Sequence, residues 1–246
     1  MQHKTVLITG GAKRIGAEIA RLLHADGMNI VIHYRSSKDD AQLLCNQLNQ
    51  LRDNSAIILQ ANLLQINELP ALVEKSAAQW GGLDVLINNA STFYPTPVGE
   101  ITEAQWDDLM GSNLKAPLFL SQAAAPHLEH QRGCIVNIVD VHGIRPMKNH
   151  PVYCAAKAGL AMLTQALAKE LGPQVRVNGV APGAIMWPEN NLEQDEALRE
   201  MILERTALKR QGEPKDIAAA VRFLIRDADY ITGQVIPVCG GRSINI

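Results

Sequence analysis

Short apolar runs recur along the whole chain, and amphipathic segments with a helical period separate them. The seven runs have strand length, and most are bounded by Gly, Asn or Pro. Strands that alternate with helices imply βαβ crossovers, and a parallel sheet buried on both faces has strands that are apolar throughout. The sequence therefore predicts an α/β fold with a doubly wound, seven-stranded parallel sheet and helices on both faces. The predicted strands are 4–9, 29–34, 56–61, 83–88, 134–139, 175–180 and 234–238.

The size and composition of the chain are typical of one globular domain. It has 246 residues, of which 47% are hydrophobic and 20% charged, and its formal net charge is -2. We therefore predict a single domain, 1–246, that binds no nucleic acid. The apolar runs are far shorter than the roughly 18 residues of a membrane span, and no leader precedes the first strand, so a cytoplasmic location is expected. The four cysteines form no C-x-x-C pair, and no metal site is expected.

A glycine-rich turn, TGGAKRIG, follows the first predicted strand and opens the next helix. Gly10 and Gly11 can form a tight turn, and Gly16 lets the helix pack close to the sheet. Backbone N–H groups and the helix dipole at such a turn favour a negative group, and side chains there would block its approach. The pattern predicts a site for the phosphates of a dinucleotide. A helix-opening turn without a ligand is the alternative interpretation.

The second predicted strand ends in HYRSS, with Arg35 and Ser36 where an NAD-preferring site places an acid. A guanidinium pairs with phosphate oxygens through two charge-assisted hydrogen bonds, and a hydroxyl can add another. NADPH is therefore the predicted cofactor, and Lys13 and Arg14 add positive charge near its phosphates. Alternatively, these basic side chains are ordinary solvated surface residues.

Tyr153 and Lys157 are four residues apart in a predicted helix, 151–172, and so project from the same face. A phenol is a poor acid–base group at neutral pH, but a nearby ammonium stabilises the phenolate and lowers the pKa of the tyrosine. We therefore predict that the two residues are a catalytic pair. A surface tyrosine beside a solvated lysine is the alternative, and the glycine-rich turn argues against it.

These motifs resemble those of the short-chain dehydrogenases/reductases, and the resemblance covers essentially the whole chain. It rests on TGGAKRIG, NNAS at 88–91, Asn113, the Tyr153 and Lys157 pair, and Pro182-Gly183. It implies a single-domain Rossmann fold, in which Asn113 positions a water in a proton relay that continues through Lys157. The cofactor-binding residues that it implies are Gly10, Lys13, Arg14, Ile15, Tyr34, Arg35, Ser36, Asn62, Leu63, Asn88, Ala90, Ser91, Tyr153, Lys157, Pro182 and Gly183.

Two residues depart from the usual pattern of the family. Asp140 stands thirteen residues before the tyrosine, where the family usually has a serine that hydrogen-bonds a carbonyl substrate. Arg14 stands at the usual middle glycine of the turn. Both departures, with HYRSS and NNASTFYPTP, are similar to the pteridine reductases, which reduce a C=N bond of pterins and folates with NADPH. Asp140 is therefore predicted to be catalytic, as a proton-relay partner of Tyr153. The alternative is an acid that caps local backbone.

The predicted substrate is a pterin or folate, reduced at C7 of an oxidised pterin or at C6 of a dihydropterin. A flat heterocycle can stack between an aromatic ring and the nicotinamide, and the resemblance implies that Phe93 supplies this ring. The irregular, polar segment 182–205 is predicted to be a mobile substrate flap. The predicted substrate-binding residues are Arg14, Ser91, Phe93, Asp140, Tyr153 and Trp187.

Other functions are compatible with many of the same residues. A dihydromonapterin or dihydrofolate reductase is not separated from a pteridine reductase by any motif. A general carbonyl or quinone reductase is disfavoured by the missing serine, and a non-catalytic nucleotide-binding paralogue by the intact Asn113, Tyr153 and Lys157. The resemblance also implies a homotetramer assembled through 103–128, 151–172 and the C-terminal segment.

Overall fold

Seven parallel strands form one sheet in the computed structural model, which describes residues 3–185 and 196–244. The strands are β1 (Thr5–Ile8), β2 (Asn29–Tyr34), β3 (Ala56–Gln60), β4 (Val85–Asn88), β5 (Cys134–Ile138), β6 (Arg176–Pro182) and β7 (Val235–Val238). Their order across the sheet is β3-β2-β1-β4-β5-β6-β7, and each neighbouring pair is parallel. The predicted doubly wound sheet is confirmed, and the ends of every predicted strand lie within two residues of those observed.

Helices connect the strands and cover the sheet. Those in the described ranges are α1 (Arg14–Ala25), α2 (Lys38–Leu51), α3 (Leu69–Ala78), α4 (Glu103–Met110), α5 (Ala116–Gln131), α6 (Pro151–Leu171), α7 (Glu196–Glu204) and α8 (Pro214–Arg226). A π-helical turn, Gly111–Lys115, joins α4 to α5, so the segment 103–128 is not one regular helix. Within 3–185 and 196–244, no helix is long and apolar enough to cross a membrane.

The sheet is buried on both faces, as the two sides of β1 show. Val6 and Ile8 belong to an apolar cluster that includes side chains of α1, α2 and α8. Leu7, between them, belongs to a second cluster with side chains of α3 and α5. All three residues are fully buried, because successive residues of a strand point to opposite faces. This double burial explains why the strand sequences are apolar throughout rather than alternating.

The strand order reverses at the boundary between β1 and β4. From β1 the chain proceeds outward to β2 and β3, and it then returns through β4 to build the other half of the sheet. In sheets of this kind a crevice opens beyond the carboxyl ends of the strands at the reversal, because the connections on either side diverge. The fold therefore places a binding site after β1, β4 and β5.

The segment predicted to be a flap, 182–205, begins at the end of β6 and includes α7. Its residues 186–195, with Trp187, lie outside the described residues. The predicted role of Trp187 in substrate binding therefore stays a prediction.

Candidate active site

A cleft of about 740 Å³ opens at the carboxyl ends of the strands. The glycine-rich turn lies on its wall. Asp140, which follows β5, and Tyr153 and Lys157 of α6 lie in the same cleft. Most of the residues predicted from the sequence line it. They are Gly10, Lys13, Arg14, Ile15, Tyr34, Arg35, Ser36, Asn62, Leu63, Ala90, Ser91, Phe93, Asp140, Tyr153, Lys157, Pro182 and Gly183.

The glycine-rich turn between β1 and α1 has the close packing that a phosphate site requires. Gly10 has a φ of 58°, and a Cβ atom on it would lie 3.0 Å from the Cα atom of Ala90. A Cβ atom on Gly16 would lie only 2.6 Å from the carbonyl oxygen of Gly10, so α1 begins directly against the turn. The turn is therefore tightly packed where it lines the cleft at the N-terminus of α1, and the helix dipole there favours a phosphate.

Arg14, the first residue of α1, has a φ of 52°. Glycine adopts this left-handed conformation freely, whereas a residue with a Cβ atom adopts it at a cost of roughly 1–2 kcal/mol. The arginine therefore keeps the backbone shape of the glycine that the family usually has there, and it adds a guanidinium to the cleft. Lys13 pairs with Asp40 of α2 at 2.9 Å.

His33, in β2, supports the turn from within the fold. Its side chain is 2% exposed. Its Nδ1 atom accepts a hydrogen bond from the Gly10 N–H at 3.1 Å, and its Nε2 atom lies 3.2 Å from the Ala61 carbonyl oxygen. Because Nδ1 accepts, the ring proton is on Nε2 and the imidazole is neutral. Burial lowers the pKa of His33 to about 4.

We expect His33 to destabilise the protein in mild acid. The pKa of its ring rises from about 4 in the folded chain to 6.5 on unfolding, so the unfolded chain binds the proton first as the pH falls. The stability provided by the neutral ring is complete above pH 6.5 and is lost towards pH 4, by about 3 kcal/mol. Urea melts at stepped pH will show a flatter profile for His33→Gln than for the wild type. The exposed His130→Gln is the control, and a wild-type profile in both variants would contradict this expectation.

Asp140 and Tyr153 form a hydrogen-bonded pair in the cleft. Asp140 follows β5, and Tyr153 lies in the first turn of α6. The Tyr153 hydroxyl donates to Asp140 Oδ2 at 2.8 Å, and the backbone N–H of His142 donates to Asp140 Oδ1 at 2.8 Å. The carboxylate therefore caps the short 3-10 turn Val141–Gly143 with one oxygen, and it holds the tyrosine hydroxyl with the other.

The pKa of Tyr153 moves in the direction opposite to the sequence-based prediction. Burial and then the negative charge of Asp140 raise it well above its ordinary value of 10.0. Lys157 does not reverse this, because its Nζ atom donates to the Ile138 carbonyl oxygen at 2.9 Å and lies 5.7 Å from the centre of the tyrosine ring. The prediction of a lowered tyrosine pKa is wrong for this structure. Tyr153 is a protonated phenol at neutral pH, and its hydroxyl hydrogen points to Asp140.

Lys157 is 2% exposed, one turn along α6 from Tyr153. Burial lowers the pKa of its amine to about 8, and the charge of Asp140 opposes part of this shift. The lysine is therefore charged at neutral pH but titrates in mild alkali.

Asn113 lies behind the cleft wall, in the π-helical turn, and is fully buried. Its Nδ2 atom donates to the carbonyl oxygens of Thr92 and Leu109, both at 3.0 Å. Its Oδ1 atom accepts from the Ser91 hydroxyl at 2.7 Å. The asparagine thus positions the hydroxyl of Ser91, which lines the cleft. The water-positioning role implied for Asn113 stays a prediction.

Asn88, predicted to bind the cofactor, does not line the cleft. Its side chain is 3% exposed, and Nδ2 donates to Asn137 Oδ1 at 2.8 Å. The next residue, Asn89, lines the cleft instead, and its Nδ2 donates to the carbonyl oxygens of Thr9 and Gly10 at 2.9 and 3.0 Å. Consecutive residues at the end of β4 point in opposite directions, which explains the difference.

Phe93 lies at the edge of the cleft with 43% of its surface exposed. Its ring stacks on His150, with the ring centroids 4.7 Å apart and an interplanar angle of 11°. It also meets Tyr153 edge-on at 4.9 Å. The ring is therefore held in place by two neighbours while part of it remains available to a ligand.

A family model described as enoyl-(acyl carrier protein) reductase matches residues 10–243, which is nearly the whole chain. The chain belongs to the short-chain dehydrogenase/reductase family. Its relatives in that family are named for different activities. The 3-oxoacyl-(acyl-carrier-protein) reductase FabG of Staphylococcus epidermidis is 36% identical, over 97% of this chain and 98% of the relative. Pteridine reductase 1 of Leishmania tarentolae is 38% identical, over 97% of this chain and 96% of the relative.

A third relative, an uncharacterised oxidoreductase of Methylorubrum extorquens, is 36% identical over 98% of each chain. Members of the short-chain dehydrogenase/reductase family are oxidoreductases that bind nicotinamide dinucleotides. The cleft of this chain fits such a group, because the close contact at Gly16 shapes a phosphate cradle and the cleft runs from Ser36 to Tyr153. The chain is therefore an oxidoreductase of this family.

The cleft of this short-chain dehydrogenase/reductase also contains residues for which no role was predicted from the sequence. Examples are His33, Asn89, Met147, Ile202 and Arg242. Two of them carried a local signal: His33 interrupts an apolar strand, and Arg242 directly follows two glycines near the end of the sequence. In the part of the chain that the structure describes, no cluster of His, Cys, Asp or Glu could hold a metal ion.

Proposed function

We propose that the protein is an NADPH-dependent pteridine reductase that transfers hydride to a C=N bond of a pterin. The observation that carries this proposal is the hydrogen bond of 2.8 Å between the Tyr153 hydroxyl and Asp140, at a position where the family usually has serine. The substrates are biopterin and dihydrobiopterin, with folate and dihydrofolate as related substrates, and the product is a tetrahydropterin.

The carboxylate of Asp140 suits a C=N bond better than a carbonyl. Carbonyl reduction builds negative charge on an oxygen, which hydrogen-bond donors must stabilise. Both oxygens of Asp140 accept hydrogen bonds, so this residue brings acceptors and a negative charge where a serine would donate. Reduction of C=N instead requires a proton on a ring nitrogen, and the N–H groups of a pterin can donate to a carboxylate.

Each residue of the cleft has a separate role in this reaction. The nicotinamide, when bound, supplies the hydride. Phe93 offers a ring on which a flat heterocycle stacks. Tyr153 donates a proton to the nitrogen beside the reduced carbon, and Asp140 orients its hydroxyl and a water that returns the proton. Lys157 holds a cofactor ribose with its buried ammonium.

Arg35 and Ser36 support NADPH rather than NADH. Both side chains are exposed on the cleft wall after β2, where an acid would repel a 2′-phosphate. Gln60 Nε2 donates to the Arg35 carbonyl oxygen at 3.0 Å and fixes the backbone there. A guanidinium so placed can bind the phosphate through two parallel hydrogen bonds.

A substrate panel tests the proposed function. Oxidation of NADPH is followed by absorbance with dihydrobiopterin, biopterin, dihydrofolate, dihydromonapterin, a quinone and a 3-oxoacyl thioester. We expect turnover of the pterins, with kcat/KM at least about tenfold higher for NADPH than for NADH. The second candidate is reduction of a 3-oxoacyl thioester, which the similarity to the 3-oxoacyl-(acyl-carrier-protein) reductase favours. Turnover of the thioester without any pterin would establish that function and refute ours.

We expect activity to fall above pH 8. The Lys157 amine has a pKa of about 8, so its charge is lost there, whereas the pKa of Tyr153 lies too high to cause the fall. The measurement is kcat/KM for NADPH against pH, because this ratio reports the ionisation of the free enzyme. Lys157→Arg keeps a charge throughout this range and should remove the alkaline limb, even if its turnover is lower. If kcat/KM of this variant still falls above pH 8, the fall is caused by a group other than Lys157.

We further propose that the protein is a cytoplasmic homotetramer. The helices predicted to form its interfaces expose apolar side chains, with Trp106 of α4 47% exposed, Leu118 of α5 36% and Met162 of α6 63%. Burial of these side chains between copies would stabilise an assembly. Analytical ultracentrifugation should find four chains, and a monomer would refute the assembly.

A further inference from the structure

The cleft is also lined by four residues outside the Tyr153 and Asp140 pair and the glycine-rich turn. They are Met147, His142, Ile202 and Arg242, and Arg242 is a cation. The proposed chemistry uses none of these residues. This part of the cleft is therefore available to the portion of the substrate that does not react.

Two glycines bring Arg242 to the cleft. Gly240 and Gly241 both have a positive φ, of 60° and 80°. A Cβ atom on Gly241 would lie 2.6 Å from Ala207 Cβ, so the backbone packs against the segment that follows α7. The Leu208 N–H also donates to the Gly240 carbonyl oxygen at 3.0 Å. The chain after β7 therefore turns sharply, and Arg242 begins a short 3-10 helix, Arg242–Ile244, beside the cleft.

The guanidinium of Arg242 has an unused hydrogen-bond donor. Its Nη1 atom is buried and has no hydrogen-bond partner within 3–185 and 196–244. A buried donor on a charged group that lacks a partner costs free energy, and a ligand acceptor would remove that cost. No ion pair within 4.0 Å joins Arg242 to Asp140 in the described ranges, although the two charges interact at longer range. The arginine is thus not committed to the catalytic carboxylate.

The surroundings of Arg242 favour an anion. Asp140, Arg205 and Cys239 influence its charge, but burial has the largest effect on its pKa. Burial lowers the pKa of Arg242, which shows that part of its hydration is lost. A poorly hydrated guanidinium binds a carboxylate strongly, because the ion pair replaces the missing water.

We propose that Arg242 binds a carboxylate on the side chain of the substrate, so that the cleft favours pterins with an anionic tail, such as dihydrofolate, over neutral pterins. This inference rests on the proposed function, since it names the substrate class of the same site. Arg242 is a specificity residue here, and the reacting ring is held by Phe93, Tyr153 and Asp140.

The test compares two dihydropterins that differ in charge. Dihydrofolate carries a glutamate tail, whereas the side chain of dihydrobiopterin is neutral. For Arg242→Met we expect the KM of dihydrofolate to rise at least about tenfold, with kcat and the KM of dihydrobiopterin little changed. Arg242→Lys should recover part of the loss, because it restores the charge without the planar fork. In the wild type, added salt should raise the KM of dihydrofolate more than that of dihydrobiopterin.

Arg145→Met is the matched control, because Arg145 is exposed, lies near the same segment and donates to the Ser243 carbonyl oxygen, but does not line the cleft. Its kinetic constants should remain those of the wild type. If Arg242→Met loses the same fraction of kcat/KM with dihydrofolate and with dihydrobiopterin, the carboxylate site is refuted. An unchanged KM of dihydrofolate in this variant would also refute it. So would a wild type that reduces dihydrobiopterin but not dihydrofolate. A wild type that reduces no pterin would instead refute the proposed function.

Discussion

Replacing Tyr153 with phenylalanine should lower kcat for pterin reduction by about 10²- to 10⁴-fold, the usual contribution of a positioned proton donor. The hydroxyl is the group that we assign to protonate the ring nitrogen, and it remains protonated because burial and Asp140 raise the pKa of Tyr153. The phenyl ring keeps its contact with Phe93, so the KM of the pterin should change much less than kcat. Steady-state kinetics with dihydrobiopterin and saturating NADPH measure both constants.

The structure offers a matched control for this variant. Tyr94 also donates its hydroxyl to an aspartate, Asp108, at 3.1 Å, and its pKa is also raised by burial and by that carboxylate. This second pair does not line the cleft. Tyr94→Phe should therefore lose a similar hydrogen bond with little loss of kcat. If kcat falls equally in the two variants, the hydroxyl of Tyr153 contributes to the stability of the fold rather than to the chemical step.

Replacing Asp140 with serine should lower kcat/KM for dihydrobiopterin by about 10²-fold and raise the rate with a carbonyl substrate. A hydroxyl restores a donor for the carbonyl oxygen, and it removes the negative charge that opposes a developing oxyanion. The variant should also shift the alkaline limb to lower pH, because the charge of Asp140 raises the pKa of Lys157. This shift separates an electrostatic role from a loss of packing.

Asp108→Ser is the control for Asp140→Ser, since Asp108 is the carboxylate of the second tyrosine–aspartate pair. Its substrate preference and pH profile should match those of the wild type. Melting temperatures of both variants check that each is folded. If Asp140→Ser reduces pterins as fast as the wild type, the carboxylate is a backbone cap alone, through its bond to the His142 N–H.

The sheet was predictable from the sequence because its strands are buried on both faces. The residues of β2 are all buried, so its sequence forms one continuous run, and the predicted strand 29–34 has the same first and last residues as the observed one. Tyr153 and Lys157 were predictable for a similar reason, since the helical period places residues four apart on one face. Local periodicity was sufficient in both cases.

Contacts between distant segments were not predictable in the same way. The pKa of Tyr153 depends on Lys157 bonding the Ile138 carbonyl oxygen, which is a consequence of how α6 packs on β5. The role of His33 requires that β2 and the turn after β1 meet, 23 residues apart. Arg242 reaches the cleft through a two-glycine turn that no periodic pattern describes. Such features depend on tertiary packing rather than on local sequence.

The left-handed backbone of Arg14 implies a compromise between folding and function. Glycine at this position would adopt the same φ without steric conflict, but it would remove the guanidinium from the cleft wall. One position thus combines the backbone shape of a glycine with the charge of an arginine. Substitution by glycine would keep that shape and remove that charge, so its effect on dinucleotide affinity would isolate the contribution of the guanidinium.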